Sequence, residues 1–157
     1  ENEEFYLVQE LIEGHPLNEE LALGEKQSEG YVINLLEDLL GILEFVHAQG
    51  VIHRDIKPSN LIRRDSDGKL VLIDFGAVKK IRDHIIAGES KERVDLTVGI
   101  GTQGYMPREQ LAGQPRFNSD IYAVGMIGIK AITGINPADL PQDLSTLEII
   151  RQHGMQV

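Results

Sequence analysis

The chain has no cysteine among its 157 residues. That excludes disulfide cross-links, thiolate metal sites and cysteine nucleophiles. Positive charge is also scarce: Lys and Arg total 15 against 25 Asp and Glu, a net charge of −10. Such a balance argues against a general nucleic-acid or anionic-membrane surface. Long apolar runs are missing as well. The longest, Ile121 to Ile132, contains Lys130 and is too short to span a bilayer. No secretory signal opens the sequence, because the acidic N-terminus leads straight into a strand pattern. Internal repeats and low-complexity tracts are absent. The expectation is a cytoplasmic protein with no nucleic-acid partner and no membrane contact in this segment; the oligomeric state stays open.

What is present has ordinary globular composition, with 41% hydrophobic and 25% charged residues. The length suits about one domain with a real core. Phe5-Tyr6-Leu7-Val8 reads as a strand that breaks into a loop at Glu13-Gly14-His15-Pro16. Leu17 to Leu23 reads as a short helical segment closed by Gly24. From about Ser28 to Gln49, Val32, Leu35, Leu36, Leu39, Leu40, Leu43 and Val46 recur at three- and four-residue steps. That spacing predicts a long amphipathic helix, capped by Ser28 and stopped by Gly50. Leu61-Ile62 and Leu70 to Ile73 are short strands, and Asp67-Gly68 between them supplies the turn of a hairpin. Ala77 to Gly101 carries no clear period, which predicts a long loop. Ser119 to Thr133 is apolar on most faces, hence a buried helix. A last helix is expected over Thr146 to His153.

The chemistry concentrates in His53-Arg54-Asp55-Ile56-Lys57-Pro58-Ser59-Asn60, followed by Asp74-Phe75-Gly76. The hairpin runs out from the first and back to the second, so Asp74 returns to the neighbourhood of Asp55. Six positions of the first run match the pattern H-R-D-x-K-P-x-N, a coincidence on the order of 10⁻⁸ per starting position for six fixed identities. Together the two runs resemble the catalytic loop and metal-binding triplet of serine/threonine protein kinases. An unrelated pair of surface turns is the bland alternative, and the order and spacing of both motifs leave it little room.

The resemblance is to the bacterial, eukaryotic-like (Hanks-type) kinases, and the Gly-Thr-Gln-Gly-Tyr-Met-Pro stretch is most similar to cyanobacterial members. It implies an α+β, protein-kinase-like fold: a mainly helical C-terminal lobe with a short β-hairpin. It implies Asp55 as the catalytic base, Lys57 and Thr102 as catalytic partners, and ATP and Mg²⁺ as cofactors. Asn60 and Asp74 would be the metal ligands, both hard oxygen donors. Glu10 and Ile12, in Gln9-Glu10-Leu11-Ile12, would contact nucleotide through their backbone, with Lys57, Asn60 and Asp74 completing that site. The acceptor would be a Ser or Thr hydroxyl of a protein substrate.

His53 is implied to pack against Phe75 rather than to act as a base, and Arg54 to grip a phosphorylated loop, with Thr97 and Ser90 as candidate phosphosites. Asp120 is implied to hold the backbone amides of the catalytic loop. Gly101 to Glu109 resembles G-T-x-x-Y-x-A-P-E but reads Pro107-Arg108-Glu109 at its end, a departure at the substrate-docking surface. No G-x-G-x-x-G run precedes the catalytic loop and the first residue is Glu1. The expectation is therefore a partial kinase domain over 1–157, with the N-lobe and last helices missing and weak activity in isolation. Two other readings stand beside this one: a pseudokinase acting as a regulatory binding module, and a small-molecule phosphotransferase.

Overall fold

The computed structural model describes residues 8–75, the backbone of 79–80, and residues 102–141. The expectations for Phe5 to Leu7, Gly76, Ser90, Thr97 and Thr146 to His153 lie outside the described residues, as does most of Ala77 to Gly101.

Two helices carry the core. Helix α1 spans Glu29–Ala48. It begins where the Ser28 hydroxyl accepts a hydrogen bond from the Tyr31 amide, satisfying one of the donors that a helix start leaves unpaired. It ends before Gly50, which takes a φ of 72°. Its buried stripe is Val32, Leu35, Leu39, Leu43 and Val46. Leu36 is only half-buried, and Leu40 faces solvent although the period had placed it inside. Each leucine of the stripe contributes on the order of 1.5–3 kcal/mol by leaving water.

The four-residue α2 spans Arg108–Leu111, and the long α3 spans Phe117–Thr133. Helix α3 starts two residues earlier than its apolar run suggests. It stops at Gly134, whose left-handed φ of 70° few other residues would accept. It packs along α1, and Gly128 makes the close approach possible: a Cβ there would lie 3.1 Å from a Leu36 methyl carbon.

The strands are β1 (Gly14–Pro16), β2 (Val51–Ile52), β3 (Leu61–Arg64), β4 (Leu70–Leu72) and β5 (Lys79–Lys80). Strands β1, β3 and β4 form one antiparallel sheet in that order, and β2 pairs antiparallel with β5. The β3–β4 hairpin has the expected turn, with Gly68 at φ 68° donating to the Arg64 carbonyl at 2.9 Å.

Three expectations need correction. Gly14 to Pro16 is an edge strand rather than a loop, because a glycine fits where a Cβ would meet the Arg63 carbonyl oxygen at 2.1 Å. An edge position also tolerates Pro16. Leu17 to Leu23 is a 3₁₀ turn at Leu17–Glu19 instead of a helix; Leu17 and Leu21 are buried beneath it. Lys79–Lys80 pairs with β2 inside a stretch read as loop throughout.

A polar cluster fastens β1, the turn after it, α1 and β3 to one another. The Glu20 carboxylate accepts hydrogen bonds from Arg63 Nε at 2.9 Å and Nη2 at 3.1 Å, from His15 Nε2 at 2.9 Å, and from the Tyr31 hydroxyl. Burial opposes the charge on Glu20, but the bonds from Arg63, Tyr31 and His15 outweigh it and bring its pKa to about 2. Burial, followed by the carboxylate beside it, pushes the Tyr31 phenol up to about 12.

A carboxylate whose pKa falls on folding stabilises the fold fully above its unfolded pKa and loses that contribution as pH drops through the folded value. For Glu20 the window runs from 4.5 down to about 2. In urea unfolding, Glu20→Gln should cost on the order of 1–3 kcal/mol at neutral pH. It should also flatten the fall in stability across that window, and identical acid limbs for the two proteins would contradict this assignment.

Candidate active site

Between β2 and β3 the chain passes through an irregular loop whose backbone is held from outside. Arg54 adopts a left-handed φ of 72° and Asp74 one of 62°, a region that non-glycine residues seldom occupy. Strain of this kind persists only where the surroundings fix it. At Arg54 the fixing group is Asp120 on α3, 1% exposed. Its Oδ2 accepts the His53 amide at 2.9 Å and its Oδ1 accepts the Arg54 amide at 2.9 Å, as the sequence implied. Gln110 of α2 donates its side-chain amide to the Arg54 carbonyl.

The next residue is Asp55. Its Oδ2 receives Lys57 Nζ at 2.8 Å and Asn60 Nδ2 at 3.0 Å; its Oδ1 receives the Thr102 hydroxyl at 3.2 Å. Asn60 Nδ2 also donates to the Asp55 carbonyl at 2.8 Å. Four of the residues named from sequence, Asp55, Lys57, Asn60 and Thr102, thus meet in direct contact. Pro58 opens the 3₁₀ turn Pro58–Asn60, where the missing N–H costs nothing, and that turn brings Asn60 back beneath Asp55.

Asp74 arrives by the hairpin. The register pairs Leu61 with Leu72, and the Ile73 amide donates to the Asn60 carbonyl at 3.0 Å. Asp74 therefore follows one residue beyond a strand pair anchored at Asn60. Asn60 gives its side-chain amide nitrogen to Asp55, and its side-chain oxygen and the Asp74 carboxylate are the two oxygens named from sequence as metal ligands. Two oxygen donors, completed by phosphate and water, suit Mg²⁺, which retains much of its hydration and needs no all-protein cage. The donor set thus fits the metal. Among the described residues no group of three or more His, Asp or Glu forms a denser metal cluster.

His53 is buried, and its ring meets Phe75 edge-on at 4.8 Å between centroids. Burial lowers its pKa, with the Ile73 carbonyl and nearby carboxylates pulling the other way. The neutral ring donates from Nε2 to the Ile73 carbonyl at 3.1 Å and accepts the Asp55 amide at Nδ1 at 3.3 Å. Arg54 Nε is buried without a hydrogen-bond partner among the described residues, and burial lowers the guanidinium's pKa.

Glu10 and Ile12 are placed separately. They line a shallow cleft of about 220 Å³ with Arg64 and Ser66 beside the β3–β4 turn.

A larger cleft of about 500 Å³ opens next to Thr102, lined by Gln103, Met106, Pro107, Arg108, Glu109 and Tyr122. Gly104, at φ 89°, closes its floor: a Cβ there would lie 2.6 Å from the Ala138 amide nitrogen. Glu109 is tied to α3 by the Ser119 hydroxyl at 2.9 Å. Pro107 takes the N-cap position of α2, so Arg108 is the first helical residue and is exposed at the cleft.

Two residues of this region were not anticipated. His47, in the last turn of α1, places Nε2 2.8 Å from Asp120 Oδ2 and its ring 4.8 Å from that of Phe117. A histidine there reads only as a favourable charge at a helix C-terminus. Gln110 is 5% exposed, and nothing local in the sequence marks it.

The matching family model is the protein kinase domain, over residues 1–157. Serine/threonine-protein kinase B of Synechocystis sp. is 44% identical over 150 residues, covering 95% of this chain and 26% of that protein. Serine/threonine-protein kinase PknA of Nostoc sp. is 45% identical over 149 residues, with the same coverages. The PknA kinase of Mycobacterium tuberculosis is 32% identical over 133 residues, 84% of this chain and 29% of that protein. The chain belongs to the protein kinase domain family, on its bacterial serine/threonine branch. It spans about a quarter of the length of these curated relatives.

The Asp120 clamp makes a direct prediction. Asp120→Asn keeps one acceptor but turns an NH₂ group toward a backbone N–H, leaving a buried donor unmet. Urea midpoints should drop by the equivalent of about 1–3 kcal/mol, and more for Asp120→Ala. An unchanged midpoint in both would show that the loop does not depend on it.

Proposed function

We propose that this chain carries the transfer centre of an ATP- and Mg²⁺-dependent kinase that phosphorylates Ser and Thr hydroxyls of proteins. The observation that carries the reading is the Asp55 carboxylate with Lys57, Asn60 and Thr102 arranged around it. A carboxylate offers about four acceptor sites. Lys57 and Asn60 occupy those of Oδ2, and Thr102 takes one of Oδ1. The remaining site on Oδ1 suits an incoming hydroxyl, which would donate its proton there as its oxygen attacks.

Phosphoryl transfer asks little covalent chemistry of a protein, and most of its catalysis is placement and charge neutralisation. Lys57 brings a cation beside the base, in reach of the phosphoryl oxygens. Asn60 and Asp74 would hold Mg²⁺, which supplies neutralisation of the phosphates. Thr102 links the base to the cleft at Gln103 to Glu109, where the polypeptide around the acceptor would lie, with Arg108 on its rim. Glu10 and Ile12 would contact the nucleotide through backbone groups. The described residues would form the large-lobe side of the site. Arg54 is half-buried and its Nε lacks a hydrogen-bond partner among the described residues, which fits the gripping of a phosphorylated loop, with Thr97 and Ser90 as candidate phosphosites.

In the full-length protein, Asp55→Asn should lower transfer from radiolabelled ATP to a basic test protein by about 10²–10⁴, with Mg-ATP affinity changed only a few-fold. Equal rates would remove Asp55 as the base, and a wild type with nucleotide affinity but no transfer would favour a pseudokinase. Asp74→Asn should raise the Mg²⁺ concentration needed for half-maximal rate by about tenfold or more. An unaltered requirement would assign the metal elsewhere.

A further inference from the structure

We infer that Gln110 is a positioning residue for Asp55, acting through the backbone of Arg54; this rests on the transfer reading above. The carbonyl of Arg54 and the amide of Asp55 belong to one rigid peptide plane. Gln110 Nε2 holds the oxygen edge of that plane, and His53 Nδ1 receives its N–H edge at 3.3 Å. The preceding plane is held by Asp120 at the Arg54 amide, 2.9 Å away. Both planes flanking the left-handed Arg54 are therefore fixed, and with them the direction in which the Asp55 side chain leaves the chain.

Asp120 sits on the buried helix α3, whereas Gln110 sits on α2, immediately after Arg108 and Glu109 of the cleft. Gln110 therefore links the wall of the proposed substrate cleft to the base. Its 5% exposure leaves the amide little solvent to replace the bond, and an unmet carbonyl beside a strained residue would let the plane rotate.

Two substitutions in the full-length protein test this. Gln110→Met keeps length and packing but has no donor; Gln110→Glu keeps shape and sets a carboxylate against the carbonyl. Gln110→Met should lower kcat by about tenfold to a hundredfold, with the KM for ATP within twofold. Gln110→Glu should fall further. Hydrogen exchange of the peptide containing His53 to Asp55 should quicken in both, while the hairpin Leu61 to Leu72 exchanges as in the wild type.

Rates within twofold of wild type and unchanged exchange at that peptide would overturn the inference. Exchange that quickens equally in the hairpin would also overturn it, since Gln110 would then be a general packing residue. A wild type that transfers no phosphate defeats the transfer reading instead, and the exchange comparison then decides the Gln110 clamp by itself.

Discussion

The Asp120 carboxylate holds the amides of His53 and Arg54 on its two oxygens, and the geometry around Asp55 follows from that contact. A left-handed arginine is unfavourable in isolation, and so is a carboxylate removed from water. Each offsets the other: the turned backbone points two N–H groups at the carboxylate, and the carboxylate fixes the turn. His47 adds a third donor at 2.8 Å, so the buried charge meets three partners. Because α3 packs on α1, and α1 contributes His47, this contact rests on the helical core itself. The loop takes its precision from the core while remaining irregular.

A second polar centre acts the same way near the far end of β3. Glu20 gathers Arg63, Tyr31 and His15, joining β3, α1 and β1. A three-residue edge strand such as β1 has little stability of its own. The ion pair with Arg63 and the leucines buried beneath it compensate. The strand Leu61–Arg64 is thus pinned at both ends: Asn60 contacts Asp55 just before it, and Arg63 reaches the Glu20 cluster near its end.

Much of this was legible in the sequence, and the reasons are local. The Ser28 cap, the α1 stripe and the Asp67-Gly68 turn express constraints that act within a few positions of the chain, while the residues around Asp55 were implied by the resemblance of their motifs to the kinase pattern. Where the reading failed, the deciding partner lay far away. Gly14 and Pro16 look like breakers until the Arg63 carbonyl is found against the glycine. Leu40 fits the helical period, but the core formed with α3 is narrower than seven residues require. Two-residue pairing at Lys79–Lys80 is too short to carry a period at all. Glu20 with Arg63, Asp120 with His47 and Gln110 with Arg54 join positions dozens of residues apart. A single sequence does not encode such pairs in any pattern of spacing.

His53 shows why one residue type is needed where these networks meet. It must accept the Asp55 amide on one edge and donate to the Ile73 carbonyl on the other, while its face stays apolar for Phe75. A neutral imidazole provides an acceptor and a donor on a rigid ring. Burial keeps it neutral by disfavouring the charged form. If protonated, Nδ1 would carry a hydrogen facing the Asp55 N–H, and the bond would become a repulsion. The same ring thus joins the two left-handed points of the site, next to Arg54 at one end and Asp74 at the other. His53 bridges Asp55 and the residue before Asp74, bonding the amide of the first and the Ile73 carbonyl next to the second.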